Sequence, residues 1–212
     1  MRPTVITIDN VLTADQCQEI IDTMRPDLAP AKVEGHAGWT GSGVYAAKVR
    51  KSNTCFIKPN DTVLESYVQL VQEKIARVAD KNHCVKLSAF QPAQFTEYRA
   101  FGYYKPHLDT AGAGPAIRTI SASLELSDPD DYIGGGLSIY NNSSKPRRLK
   151  NKRGSLTIFS SLLLHQANTV WWGRRYSLVL WGLEYYPKDV REMNIAFTSG
   201  QSYQCVGSYV GQ

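Results

Sequence analysis

Residues Cys17, Ile20, Ile21 and Met24 fall at i, i+3, i+4 and i+7, the apolar stripe of an α-helix. Thr13, with Gln16 three residues on, forms a capping box at its start. Leu12 is placed to staple the first turn through Cys17, and Pro26 ends the run. A second stripe, Leu64, Tyr67, Val68, Val71, Ile75 and Val78, predicts a longer helix from about Asp61 to Lys81, lying flat on something apolar. From residue 85 the period shortens to two. The stretches 86–98, 117–126, 137–140, 155–160 and 175–186 are β-branched or aromatic and partly alternate, so each reads as strand. FGYYKP, DTAGAGP, SDPDDYIGGG, NNSSKP and VWWGR lie between them and read as turns. Two helices followed by many short strands predict an α+β, mainly β fold: a sandwich or barrel with the helices packed on one sheet. With no repeat and no linker, we expect one domain over residues 1–212: helical support to about 84, a β core to about 186, then a tail.

Composition narrows the function classes. The 212 residues carry 24 Lys plus Arg against 19 Asp plus Glu, a net charge of +5. The surplus belongs to one stretch, Lys145 to Arg153, whose six basic residues include Arg147, Arg148, Lys150 and Lys152; without it the balance is 18 against 19. A near-neutral body with one basic turn argues against a uniform nucleic-acid coat. No apolar run approaches the ~20 residues of a spanning helix, and MRPTVITIDN has no signal-like apolar core, so no membrane partner is expected. Cys17, Cys55, Cys84 and Cys205 are widely spaced and read as reduced thiols, which suggests a cytoplasmic location.

Candidate chemistry centres on two histidines. His107 and Asp109 form His-Leu-Asp, and on an extended chain residues i and i+2 share a face while Leu108 points away. His165 lies 56 residues beyond Asp109, after SLTIFSSLLL. Two imidazoles and a carboxylate on one face of an octahedral ion leave open positions, which suits non-haem Fe(II). The tripeptide alone is a weak signal, since a histidine near a strand end is more often a satisfied structural group than a ligand. Arg175, ten residues after His165, opens the apolar strand YSLVLWG across the short NTVWWGR loop. A hairpin there would set Arg175 beside the histidine's strand with its guanidinium inward. A buried guanidinium needs an anion, and a bidentate carboxylate fits its planar fork. Arg174 reads as the surface member of the pair.

Taken together, HxD, a distant His and an Arg ten residues later resemble the Fe(II)/2-oxoglutarate-dependent dioxygenases, and within them the prolyl 4-hydroxylase-like branch. YRAFGYYKPHLD, RTISASLELSDPDDYIGGGLSIY and RGSLTIFSSLLLHQANTVWWGRRYSLVLWG are similar to that branch's successive segments, covering about residues 86–183. Gly136 stands where the branch commonly has Glu after paired glycines, and the glycine of the Tyr segment is shifted to Gly102. The resemblance implies a double-stranded β-helix, a jelly-roll or cupin-like barrel. It implies His107, Asp109 and His165 as Fe(II) ligands, and Arg175 on the distal carboxylate of 2-oxoglutarate. Tyr98 would donate a hydrogen bond to the cosubstrate, and Trp181 would wall the same pocket or serve as a core aromatic. O2 would be the second cosubstrate and ascorbate the reductant.

By the same resemblance the substrate is a prolyl residue in a peptide or protein, with succinate and CO2 released. A free amino acid or a nucleic acid remains an alternative, as does a silent barrel-fold binding module. A zinc hydrolase using the three ligands is a further rival, but HExxH is absent. Tyr104, Trp39 and Arg118 are the substrate-side candidates. Trp39 sits in EGHAGWTGSG, read either as a lid or as a plain surface loop, and Arg50-Lys51-Ser52 could face the same mouth. No base-stacking aromatics flank the basic segment, so nucleic acid is not the expected partner, and that segment reads as a solvated hairpin tip.

Overall fold

The computed structural model describes residues 5–31, 48–58, 62–110, 116–140, 145–149 and 151–185. Helix α1 is Ala14–Met24, and Thr13 and Gln16 close the capping box on each other's backbone. Its buried face is Cys17, Ile20, Ile21 and Met24, and Leu12 joins the same apolar cluster. After Met24 the chain tightens into a turn, Arg25–Asp27, because Pro26 cannot donate into a continuing helix. Helix α2, Thr62–Val78, runs into a wider turn at Ala79–His83 and stops at Cys84 in the left-handed region, φ 56°.

The strands are β1 (Ile6–Ile8), β2 (Ala29–Pro30), β3 (Arg50–Lys51), β4 (Asn53–Phe56), β5 (Ala89–Phe90), β6 (Gln94–Tyr98), β7 (Tyr103–His107) and β8 (Ala116–Glu125). They continue as β9 (Tyr132–Gly134), β10 (Leu137–Ile139), β11 (Arg147–Arg148), β12 (Leu156–Ser160), β13 (His165–Ala167), β14 (Val170–Gly173) and β15 (Arg175–Tyr185). The large sheet has the order β1-β12-β8-β15-β6-β4-β2, with β5 also on β15. The small sheet runs β11-β10-β13-β7-β3, and β14 and β9 form a separate ribbon. Every pairing is antiparallel. This is the expected jelly-roll, built as two facing sheets rather than a closed ring.

Strand alternation separates two interiors. On one face of the large sheet Phe95, Leu124, Ile158, Leu178 and Leu180 bury the apolar stripes of both helices. The other face carries Tyr98, Ser121, Ser123, Phe159, Arg175, Ser177 and Trp181, and it meets the small sheet. There Phe159 packs with Leu137, Ile139 and Leu163. Burying each such side chain is worth roughly 1.5–3 kcal/mol.

Three short strands, β7, β9 and β14, fall where turns were expected. Pro106 in YYKPH looked like a breaker, yet it sits in β7. His107 pairs with His165 and Tyr104 with Ala167, so residues 105 and 106 form a bulge where no amide is required of proline. VWWG forms β14 and pairs with β9, and β13 carries His165. Arg175 therefore does not sit beside the histidine's strand as expected. The ribbon intervenes, and Arg175 opens β15 in the opposite sheet, in register with Tyr98. The basic segment is in part a strand edge: Arg148 donates to the Gly134 carbonyl, Lys152 pairs with Asp9 at 3.6 Å, and Arg153 donates to Gln18 at 2.8 Å. Gly136 has φ +82°, a conformation in which the family's usual Glu would be strained.

Candidate metal and cosubstrate site

His107 ends β7, Asp109 follows two residues on, and His165 begins β13 directly opposite His107. The ligand atoms of these three residues lie within 4.8 Å of one another. Asp109 and His165 are buried and His107 nearly so. Leu108 points outward, 47% exposed, as the i, i+2 reading requires.

Hydrogen bonding sets the orientation of each ligand. His107 Nδ1 is 2.8 Å from the Lys105 carbonyl, and His165 Nδ1 is 2.9 Å from that of Leu163. A carbonyl oxygen only accepts, so each Nδ1 carries the hydrogen and each Nε2 presents its lone pair. Those Nε2 atoms face Asp109, at 3.5 Å from Oδ1 and 3.3 Å from Oδ2. Asp109 Oδ2 already accepts from Ser121 Oγ at 2.8 Å and from Trp181 Nε1 at 2.9 Å. Three acceptor atoms thus converge with no donor of their own to share, and a divalent cation satisfies all three at once. Burial works against the Asp109 carboxylate, but positive charge at the two imidazoles, when they carry a second proton, holds it well below the usual carboxylate range. Burial pushes the His107 imidazole down, toward the neutral form a metal takes.

These residues form one end of a cavity of about 500 Å³, counting its open mouth. Tyr98, Tyr104, Trp181 and Arg175 line it as well. Trp181 therefore walls the cavity and braces Asp109, two roles for one ring. Tyr98 is 5% exposed, and the Arg175 guanidinium carbon lies 5.6 Å from its ring centre. Tyr104 stacks on His107 at 3.5 Å between ring centres, with the Arg50 guanidinium 4.7 Å from the Tyr104 ring. Arg50 also reaches Gln94 at 3.1 Å. Arg118 sits over Trp181 at 4.1 Å and donates to Gln91 at 2.7 Å. Trp39 and its loop lie outside the described residues.

Arg175 is 3% exposed, as a buried anion-binding arginine should be. Its partner within the chain was not foreseen. Glu125 Oε2 accepts from Arg175 Nε at 2.9 Å and from Nη2 at 2.8 Å. The available signal was the run SASLELS, whose alternation puts Glu125 on the cavity side of its strand with Ser121 and Ser123. A carboxylate in that row needs a cation, and Arg175 supplies it.

Two facing antiparallel sheets carry a His-Asp-His cluster and a buried arginine, a donor set that suits a non-haem divalent metal. The chain matches the 2OG-Fe(II) oxygenase superfamily over residues 93–182. It is 28% identical over 207 residues to a PKHD-type hydroxylase of Shewanella sp. (strain MR-7), covering 95% of this chain and 88% of that protein. Among solved structures it resembles a Pseudomonas putida prolyl-4-hydroxylase, with TM-score 0.67 and 18% identity, covering 86% of this chain and 93% of that one. It also resembles a Trichoplax adhaerens prolyl hydroxylase in complex with a hypoxia inducible factor oxygen degradation domain peptide fragment. That match has TM-score 0.69 and 15% identity, covering 93% of this chain and 87% of that one. The chain thus matches the 2OG-Fe(II) oxygenase model over its β core and has a prolyl-hydroxylase-like fold. It is a 2-oxoglutarate-dependent dioxygenase, with Fe(II) and 2-oxoglutarate as its cofactors. Among the described residues no helix is long and apolar enough to cross a membrane.

Proposed function

We propose that this dioxygenase hydroxylates a prolyl residue of a peptide or protein, with His107, Asp109 and His165 holding Fe(II) and Arg175 binding the distal carboxylate of 2-oxoglutarate. The observation that carries the metal roles is the convergence of two Nε2 lone pairs and a buried carboxylate with no proton to share. The peptide substrate is supported by the relatives named for prolyl hydroxylation and by the peptide held in one of them. The open mouth is compatible with a chain entering from outside.

When bound, Fe(II) and 2-oxoglutarate supply the O2-activating chemistry that inserts oxygen into a C–H bond and releases succinate and CO2. The chain's own residues do the rest. Ser121 and Trp181 fix the Asp109 carboxylate from one side, so its remaining lone pairs point toward the two imidazoles. The Lys105 and Leu163 carbonyls fix both ring tautomers. Phe159, Leu137 and Val179 give the cavity an apolar part of its lining. Arg175 selects for a dicarboxylate by charge and planar geometry. Tyr104, held between Arg50 and His107, and Arg118 over Trp181 frame the substrate side.

The test is succinate release by the full chain with Fe(II), 2-oxoglutarate and ascorbate, across prolyl peptides, free amino acids and oligonucleotides. Prolyl peptides are expected to raise turnover and to gain the mass of one oxygen atom. Stimulation confined to oligonucleotides or free amino acids would overturn the substrate assignment.

A further inference from the structure

The Arg175–Glu125 pair poses a charge problem that the metal end does not. Glu125 is fully buried and Arg175 nearly so, and within the chain their charges cancel. A distal carboxylate arriving on Arg175 would leave two anions sharing one cation in the same dry volume. An uncompensated buried charge is strongly disfavoured. The grip is also one-sided. Both guanidinium contacts fall on Oε2, while Oε1 is buried without a hydrogen-bond partner. Arg175 lines the cavity and Glu125 lies behind it, so a cavity ligand meets the arginine first.

We propose that Glu125 couples 2-oxoglutarate binding to the uptake of one proton. It holds Arg175 as an ion pair before the cosubstrate arrives, and it becomes a neutral carboxylic acid when the distal carboxylate takes over the guanidinium. The proton comes from solvent and forms an O–H bond on the orphaned Oε1; no other bond is made or broken. This inference rests on the assignment of Arg175 to the cosubstrate. It makes Glu125 a positioning residue, acting on 2-oxoglutarate through Arg175.

The surroundings agree. Glu125 is faced by Arg175 from β15, by the Tyr132 phenol from β9 and by the Cys17 thiol from α1. Tyr98, from β6, faces the far side of Arg175. Arg148 acts on Tyr132 and Arg153 on Cys17, each one side chain removed from the pair. The backbone N–H of Ser127 favours the ionised form without closing a hydrogen bond to Oε1. Burial pushes the Glu125 carboxyl above its usual value, and the charge of Arg175 brings it back in part only. Burial opposes the Arg175 charge too, but Glu125 together with the Tyr132 and Tyr98 phenols outweighs it, so the arginine stays protonated and the carboxylate is the member that titrates.

The sign follows. Affinity for 2-oxoglutarate is greatest below the free-state pKa of Glu125, and it falls by up to about tenfold per pH unit between the free and bound pKa values. The experiment is anaerobic calorimetry on the Fe(II)-loaded chain in buffers of different ionisation enthalpy. In that window 2-oxoglutarate should take up close to one proton. 2-Oxopentanoate, with a methyl group in place of the distal carboxylate, should take up none. Glu125→Gln should abolish the uptake and flatten the pH slope while 2-oxoglutarate still binds. Equal proton counts for the two 2-oxo acids in the unmodified chain would overturn the proposal even if the variant does not fold, and so would a wild-type slope in Glu125→Gln. Failure of 2-oxoglutarate to bind at all would instead remove the cosubstrate assignment, and the proposal with it.

Discussion

The two ends of the cavity solve opposite electrostatic problems. At the triad three acceptors converge, their orientations fixed from behind by Ser121, Trp181 and two backbone carbonyls, and no cation among the described residues of the chain pairs with them. At the other end a guanidinium and a carboxylate already neutralise each other within the chain. The metal end is therefore built to be completed, and the cosubstrate end to exchange one partner for another. A pre-formed pair keeps a buried arginine tolerable in the empty protein and makes binding depend on what its partner does next.

Removing the anion of the incomplete end should have the largest effect. Asp109→Ala is expected to abolish succinate release while far-UV circular dichroism stays native. Undiminished release would break the contrast outright. Arg175→Ala comes next and strikes twice: it strands Glu125 as a buried charge, costing about 3–5 kcal/mol of stability by urea denaturation. It also raises KM for 2-oxoglutarate about a hundredfold through loss of charge-assisted hydrogen bonds. Adding Glu125→Gln to that variant should return much of the stability and none of the 2-oxoglutarate affinity. If stability does not recover, the pair is not what makes the arginine tolerable. Trp181→Phe keeps the wall but removes one donor to Asp109, and should weaken Fe(II) binding about tenfold. The smallest effect belongs to a region outside both ends: Arg147→Gln with Lys152→Gln should leave turnover within about twofold, as exposed charges contribute little.

Much of this contrast was legible in the chain because its signals are local. Stripes of apolar residues at helical spacing located α1 and α2, and the Thr13–Gln16 box set the start of α1 within a residue. The i, i+2 rule placed His107 and Asp109 on one face, and burial of Arg175 followed from its position at the head of an apolar strand. What escaped depended on pairing between distant segments. YYKPH and VWWG look like turns until a bulge absorbs Pro106 and β9 supplies a partner for β14. The same ribbon sends Arg175 into the sheet opposite His165, which the short spacing between them had hidden. Glu125 was visible as a charge in a strand, but its meaning required knowing that β8 and β15 are neighbours. The lid reading of Trp39 falls outside the described residues.

The claim at the centre is that the triad binds one divalent cation, and anaerobic titration of Fe(II) into the metal-stripped chain tests it most directly. We expect one bound ion per chain and a raised melting temperature, with both lost in Asp109→Ala. No binding, or binding of equal strength in that variant, would contradict the account.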